Sequence, residues 1–533
     1  MSFRTNDSQQ MSLSDSLYGL TPRELKALEK SWAKVFADDV FPMIDEERFR
    51  VLYSDKASRP CTPVNVVVGA LVLKELFDLS DDEVVENLLL DPRFQLALHT
   101  TSYDEQPISD KTLTRFRQRC YNYEELHGVD LYHDCVTDLA LHTAKLMKID
   151  GRIRRMDSLM IESNIRSLSR MELLYKCISK LVNYLHNNNH EDLILSMEHY
   201  YDPNDFNIVI HQCRSINAKE RLGVLLNDAD KLLQNCGNSF EDISEYQLLV
   251  RCLSEQTVVE NGTRRMKTRE EGMNSTVMQS PADPDATYRV KAGKAHRGYT
   301  ANVEESVSVN GSVVTDYAVD TNNTSDSTLL NRRLDSMETS DLEVTLVADG
   351  AYSGTENVNK AASKNVRLIT TDLTGKDIDP VVGAFVLNKE QTRILRCPAG
   401  HEPKSSNYIR QNGICTASFE RELCAHCPYQ KQCGAKIHKR VANVKVSGKM
   451  IIRARQQAEM RSDDFKKYSR FRNGVETIPS ILKNVYNINT MHVRGLKKVK
   501  FFFGSKVAAL NFKKLLNYKR GLGHYAPNPL LEG

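Results

Sequence analysis

The chain has 533 residues, 41% of them hydrophobic and 26% charged, with a net charge of +3 at pH 7. That length exceeds what one hydrophobic core can organise and predicts about three domains, some of them nested. No stretch approaches the roughly 18 consecutive apolar residues of a membrane span. The first residues, Met1 to Asp7, lack the apolar core of a signal peptide, so the expectation is a cytoplasmic protein with no membrane partner. The charge is unevenly placed. Residues 434–533 hold 22 Lys and Arg against 5 Asp and Glu, a net +17 that leaves −14 for residues 1–433. Such a basic segment is the footprint expected for a phosphate-backbone ligand, and a merely solvated face is the alternative.

Residues 1–22 read as a polar tail, with Gln9, Gln10 and Ser12 among them. Residues 23–130 read as all-helical, with an amphipathic opening at 23–28 and an apolar helix over 64–73. Thr62 and Pro63 supply an N-cap and a first-turn proline, Ser80 with Glu83 a capping box, and Ser109 a further start signal. The helix that follows Ser109 projects Arg115, Arg117 and Arg119; it is read either as a recognition helix on DNA or as a surface helix beside a core. Over 148–165 the period changes to that of a strand entering a loop, with Asp157 within or at the end of the strand and Arg152, Arg154 and Arg155 bracketing it. Residues 168–280 return to a helical, locally polar pattern and read as an insertion.

Strands resume over 288–320, where Asn310-Gly311 between two β-rich runs predicts a hairpin. Asp326 to Leu330 starts a helix, residues 342–348 form a mostly apolar strand ending on Asp349-Gly350, and 366–370 form the next strand. This order predicts an α/β domain with a mixed sheet. Asp349 then stands at the carboxyl end of a strand, where open sheets place their ligands, although Asp-Gly is equally at home in a turn. Glu476 lies four residues after Arg472 and seven before Lys483, a spacing that puts all three on one helical face. Pro479 implies that this helix starts nearby or kinks.

Twelve cysteines in a cytoplasmic chain are not a disulfide framework. Seven are scattered singly through 1–252 and five cluster later. Cys397, Cys424, Cys427 and Cys433 offer four thiols with a C-x₂-C pair, and Cys415, His401 and His426 compete as ligands. The expectation is a structural Zn²⁺ that folds about 50 residues poor in apolar anchors, against a reduced, metal-free loop.

Together, Asp157-Ser158 with Glu162-Ser163-Asn164, Asp349-Gly350-Ala351-Tyr352, and Arg472, Glu476 and Lys483 resemble the three acidic segments of the DDE transposases of bacterial insertion sequences. Further matches lie at Lys294 to Tyr299, Asp320, Asp326-Ser327, Val493 to Leu496 and Ala508 to Asn511, and the N-terminal helical region resembles the one that precedes such catalytic domains. One position departs: the family's tyrosine falls on Ser469, with Tyr468 displaced by one. The resemblance implies a ribonuclease H-like α/β catalytic domain over 145–385 with its helical insertion at about 168–280. Around it stand an all-α DNA-binding domain at 23–130, a cysteine-rich insert at 390–440, a basic part at 445–520 carrying the third acid, and a tail at 521–533. It implies that Asp157, Asp349 and Glu476 hold two Mg²⁺ (or Mn²⁺) ions, with Arg472, Lys483, Arg494, Lys497 and Lys498 on DNA phosphates. The implied reaction is cleavage at the element's terminal inverted repeats followed by joining of the 3′-hydroxyl ends to target DNA, by a homodimer on DNA at the nucleoid of a bacterial cytosol. A nuclease that cuts without joining, or a transposase-derived DNA-binding protein, are the alternatives.

Overall fold

Two capping boxes fix where the N-terminal helices begin. Ser80 N donates to Glu83 Oε2 at 2.7 Å while Glu83 N donates to Ser80 Oγ at 3.1 Å, and Ser109 and Thr112 make the reciprocal pair that opens α2 (Asp110–His127). The apolar helix α1 (Val64–Leu76) differs from expectation: Pro63 occupies its cap position and no side chain caps it. Its start rests instead on the fixed backbone of proline and on burial of nearly every residue. α3 (Leu131–Leu146) completes this region. The computed structural model describes the chain apart from residues 7–14, 57, 102–107, 213–217, 273, 292, 371–376, 523–529 and 532–533. The polar stretch at Gln9, Gln10 and Ser12, and most of the 521–533 tail, therefore lie outside the described residues.

A mixed sheet follows. Its strands are β1 (Ile153–Glu162), β2 (Lys294–Ser308), β3 (Gly311–Thr321), β4 (Val344–Ala348) and β5 (Val366–Thr370). β1 pairs antiparallel with β2 and parallel with β4, β2 pairs antiparallel with β3, and β4 pairs parallel with β5. The order across the sheet is thus β3-β2-β1-β4-β5, and a short strand, Thr287–Lys291, extends the far edge of β2 beyond β3. The hairpin expected at Asn310-Gly311 forms with Ser308 paired to Gly311, so its two-residue loop is Val309-Asn310. β1 runs five residues past Asp157, so of the two expected placements the acid takes the one within the strand.

The two faces of the sheet meet different partners. Met156, Leu346 and Ala348 pack on Leu330 and Leu334 of the helix Asp326–Ser336. Ile153, Val347 and Ile369 pack on Phe465, Tyr468 and Phe471 of α4 (Asp463–Asn473). A single turn, Gly474–Glu476, leads from α4 into α5 (Thr477–Asn484). Pro479 sits in the first turn of α5, where its missing N–H costs nothing, so the helix starts there and does not kink.

The last helix, α6 (Leu496–Lys519), is the hub of the largest core: Phe501, Phe503, Val507 and Phe512 share one apolar cluster with α1, α3, β2 and β3. Phe501 stacks on Tyr132 with centroids 3.8 Å apart, and Phe512 meets Phe36 edge-on at 5.1 Å. Its lysines are answered by carboxylates of the acidic remainder of the chain. Lys497 pairs with Glu125 at 3.1 Å, Lys500 with Asp130 at 2.8 Å, Lys506 with Glu75 at 2.5 Å, Lys514 with Glu305 at 2.6 Å and Lys519 with Asp39 at 3.2 Å. Five of the 22 Lys and Arg in residues 434–533 thus serve folding.

The insertion has its own core, with Leu174, Ile178, Leu181, Leu226, Leu232 and Leu249 buried among the helices Arg170–Asn187, Ala218–Cys236 and Ser244–Gln256. It is not wholly helical: Thr257–Glu260 and Thr263–Met266 form a hairpin at its end. The cysteine-rich segment also carries a core, against expectation. Its four-stranded antiparallel sheet buries Phe419, Val444 and Val446 with Val382, Phe385 and Ile451 contributed by its flanks.

The Lys506–Glu75 pair, with side chains only 7% and 6% exposed, yields a test. Lys506→Met, which strands the Glu75 carboxylate, is expected to cost about 3–5 kcal/mol in denaturant unfolding, and the double replacement Lys506→Met with Glu75→Leu to recover most of it.

Candidate active site

The register of β1 against β4 sets two acids side by side. Arg155 is level with Val347 across the parallel pair, so Asp157 and Asp349, each two residues further on, fall at the same height on neighbouring strands. Strands in register lie about 4.8 Å apart, and residues two apart share a face. Asp157 and Asp349 therefore look toward the side of the sheet that carries α4. At the end of α4, Arg472 completes the arrangement. Its Nη2 donates to Asp349 Oδ2 at 3.4 Å and its Nη1 to Glu476 Oε1 at 3.3 Å, so one guanidinium joins the second and third acids. Arg472 is only 21% exposed, while Asp349 and Glu476 are 41% and 64% exposed. Its Nε is buried and has no hydrogen-bond partner among the described residues.

Burial raises the Asp157 carboxyl above its ordinary range, and the negative charge of Asp349 adds to the rise. Against this act a hydrogen bond from Ser158 N at 2.8 Å and the charges of Arg472 and Lys291. Three carboxylates with Arg472 between them leave a local excess of negative charge made of hard oxygen donors, the chemistry that suits a divalent cation of the Mg²⁺ kind. Among the described residues, however, no three His, Cys, Asp or Glu side chains close around one point as a metal-holding group. Arg472 stands as the counter-ion of the site.

Behind the acids lies a buried support. Tyr352 donates to Asn302 Oδ1 at 2.6 Å, and burial lifts its phenol well above the usual range. Arg155, 1% exposed, donates from Nε to Glu305 at 2.5 Å and from Nη1 to the Phe471 carbonyl at 3.1 Å. A Cβ on Gly474 would overlap Arg155 Nη1, so the turn before Glu476 must pass this guanidinium as glycine. Arg155 and Lys291 escaped the sequence reading as site residues. The signal for Arg155 was its place two residues before Asp157, on the same face of a strand.

Other expected positions fall elsewhere. Lys483 is half-buried on α5, and no ion pair joins it to Glu476. Arg117 is buried and bidentate to Asp81 at 2.7 and 2.6 Å, hence an internal tie and not a DNA contact. Arg119 lies over the Tyr53 ring at 4.5 Å, while Arg115 is exposed. Arg494 donates to the Asn164 carbonyl at 2.7 Å, Lys497 is spent on Glu125, and Lys498 is exposed. Glu162 binds His296 at 2.5 Å, away from the acids. Tyr468 packs beneath the sheet with Phe465 and Phe471.

Cys397, Cys424, Cys427 and Cys433 line one small cavity with His401, and their mutual repulsion as thiolates adds to the burial that raises Cys424 and Cys433. They do not form a metal-holding group, so the expected zinc finds no support. The apolar core of this segment supplies the anchoring that zinc was invoked to provide.

Two protein families match the chain: Transposase DDE domain over residues 396–516, which includes Arg472, Glu476 and Lys483, and Transposase domain (DUF772) over residues 24–119. The two matched stretches support a DNA transposase of the DDE class. They are the family evidence for a likeness to insertion-sequence transposases. No curated protein and no solved structure matches it.

Two outcomes are expected. Because folding raises the Asp157 carboxyl, the folded state holds that proton more tightly than the unfolded chain, and ionisation costs stability as pH rises through the folded value. In metal-free buffer Asp157→Asn should melt above the wild type at pH 7 and lose that advantage below about pH 3.9, where the carboxyl is protonated in both states. Gly474→Ala should destabilise the fold by about 1–3 kcal/mol in denaturant unfolding, since the Arg155 guanidinium it meets can move only by giving up its buried bonds to Glu305 and the Phe471 carbonyl.

Proposed function

We infer that the protein binds the terminal inverted repeats of an insertion sequence, hydrolyses a phosphodiester at each end, and joins the freed 3′-hydroxyls to target DNA. The observation that carries this reading is the equal register of Asp157 and Asp349, with Arg472 reaching from Asp349 to Glu476. The strand order β3-β2-β1-β4-β5, antiparallel over the first three strands and parallel over the last two, supports a ribonuclease H-like catalytic domain.

In this reading Asp157, Asp349 and Glu476 hold two divalent ions, Mg²⁺ or Mn²⁺. When bound, these would supply an activated attacking oxygen and a stabilised leaving oxygen for an in-line displacement. Asp157 gives the most fixed ligand, held within a strand and by Ser158 N. Glu476, the most exposed of the three, sits on a single turn and has room to move inward. Arg472 keeps the acids together before substrate arrives, through Nη2 on Asp349 and Nη1 on Glu476. Lys483 and the exposed Arg115 and Lys498 add sequence-independent attraction for the DNA backbone. Two ends must be joined in concert, so the working form is a homodimer on DNA, in the bacterial cytosol at the nucleoid.

Purified protein incubated with Mg²⁺, element-end DNA and a plasmid target is expected to give both cut ends and joined products; cutting with no joined product would favour a plain nuclease. Asp157→Asn, Asp349→Asn and Glu476→Gln should each abolish cutting while end binding persists, and retained cutting removes that residue from the trio. Mg²⁺ should also raise the melting temperature of the wild type but not of the Asp157→Asn, Asp349→Asn double variant.

A further inference from the structure

Many arginines of the fold are neutralised by carboxylates, as in the pairs of Arg117 with Asp81, Arg154 and Arg333 with Glu304, and Arg264 with Asp230. Three arginines that line one open groove are not. Arg170 donates only to the Gln256 side chain and to the carbonyls of Gln256 and Lys267. Arg289 donates to the carbonyls of Asn322 and Thr324 at 3.3 and 3.2 Å. Arg297 lies over the Tyr288 ring at 5.3 Å. No carboxylate of the described residues pairs with any of the three, so their charges add without compensation. The groove they line runs between the helical insertion and the hairpin of Thr287–Lys291 with the start of β2, and has a volume of about 700 Å³. The side chains of Asn274, Gln279 and Asn323 supply amide donors and acceptors along it.

Lys291, next to the groove residue Val290, is exposed and extends the positive charge beyond the groove. Beside the groove, β2 passes β1 at Gly298, whose φ of +148° falls in the region that favours glycine and whose Cβ would overlap the Ile161 carbonyl. A basic, amide-lined groove of this kind suits a polyanion. Its volume lies in the range of roughly 300–1,000 Å³ that takes small ligands, the scale of a short single-stranded stretch.

We propose that this groove holds a single-stranded segment of the substrate DNA, with Arg170, Arg289 and Arg297 on its phosphates and the amide side chains on an unstacked base. The assignment rests on the transposase reading and adds to it the surface that receives the strand once the end is opened. Arg289 and Arg297 are the members free to be tested, since Arg170 also ties the insertion together.

The full-length protein in EDTA would be titrated by fluorescence anisotropy with a blunt duplex and with the same duplex carrying a short single-stranded overhang, over about 50–200 mM salt. The wild type should bind the overhang probe more tightly. The double variant Arg289→Gln, Arg297→Gln should lose that preference, with the salt slope on the overhang probe reduced by about 1.4, or about 0.7 for each single-strand phosphate contact. Asn323→Asp, nearly isosteric, should also weaken the overhang probe selectively; it decides the matter where the double variant melts early. Unchanged preference and slope in a folded variant overturn the groove, whether or not the wild type cuts DNA. Absence of Mg²⁺-dependent cutting by the wild type, with preference and slope altered as expected, overturns the catalytic reading and leaves the groove standing.

Discussion

The site depends on one buried cation. Arg155 is nearly inaccessible, yet it reaches Glu305 on β2 and the carbonyl of Phe471 at the end of α4, and its guanidinium fills the space against Gly474. Glu305 is shared with Lys514 of α6. Burial opposes its charge, but Lys514 and then Arg155 prevail and hold the carboxyl down to about 2, so the three groups stay ionised together. A charge buried this deeply is costly unless every partner is in place. The consequence is a firm distance between β1, which carries Asp157 two residues on, and the turn that carries Glu476. Segments more than 300 residues apart in sequence, from Arg155 to Phe471, are fixed by a group that never touches substrate.

Local signals in the sequence were legible wherever the physics is local. The capping boxes at Ser80 and Ser109, the hairpin at Asn310, the strand that stops at Asp349 and the helix start forced by Pro479 are settled by residues a few positions apart. What could not be read depends on distant partners. Arg117 has the look of a surface residue on an amphipathic helix until Asp81, on another helix, takes both arms of its guanidinium. β1 continues past Asp157 because β2 pairs with it as far as Glu162, and no periodicity within β1 announces that pairing. The cysteine-rich segment looked poor in anchors because part of its core, Val382, Phe385 and Ile451, comes from outside the run of cysteines.

The charge asymmetry between the two parts of the chain divides into two populations with different work. Lys500, Lys506 and Lys514 are matched by carboxylates drawn from the N-terminal helices and the sheet, and this matching docks α6 in the centre of the molecule. Self-attraction between a basic end and an acidic remainder favours that topology over alternatives in which α6 packs elsewhere. Net charge by segment therefore does not separate cations spent on packing from those the fold leaves without a carboxylate.

By that criterion the arginines fall into a pattern that composition cannot display. Arg472 is matched, but by the very acids that a divalent ion would claim, so binding such an ion would release its guanidinium for phosphate. Arg289 and Arg297 are unmatched from the outset and line the groove beside the start of β2. A phosphodiester arriving at the acids would then meet a cation freed at the site and cations waiting beside it. The charge excess of the carboxylates, which would repel DNA on its own, is thereby offset on the side from which the strand approaches.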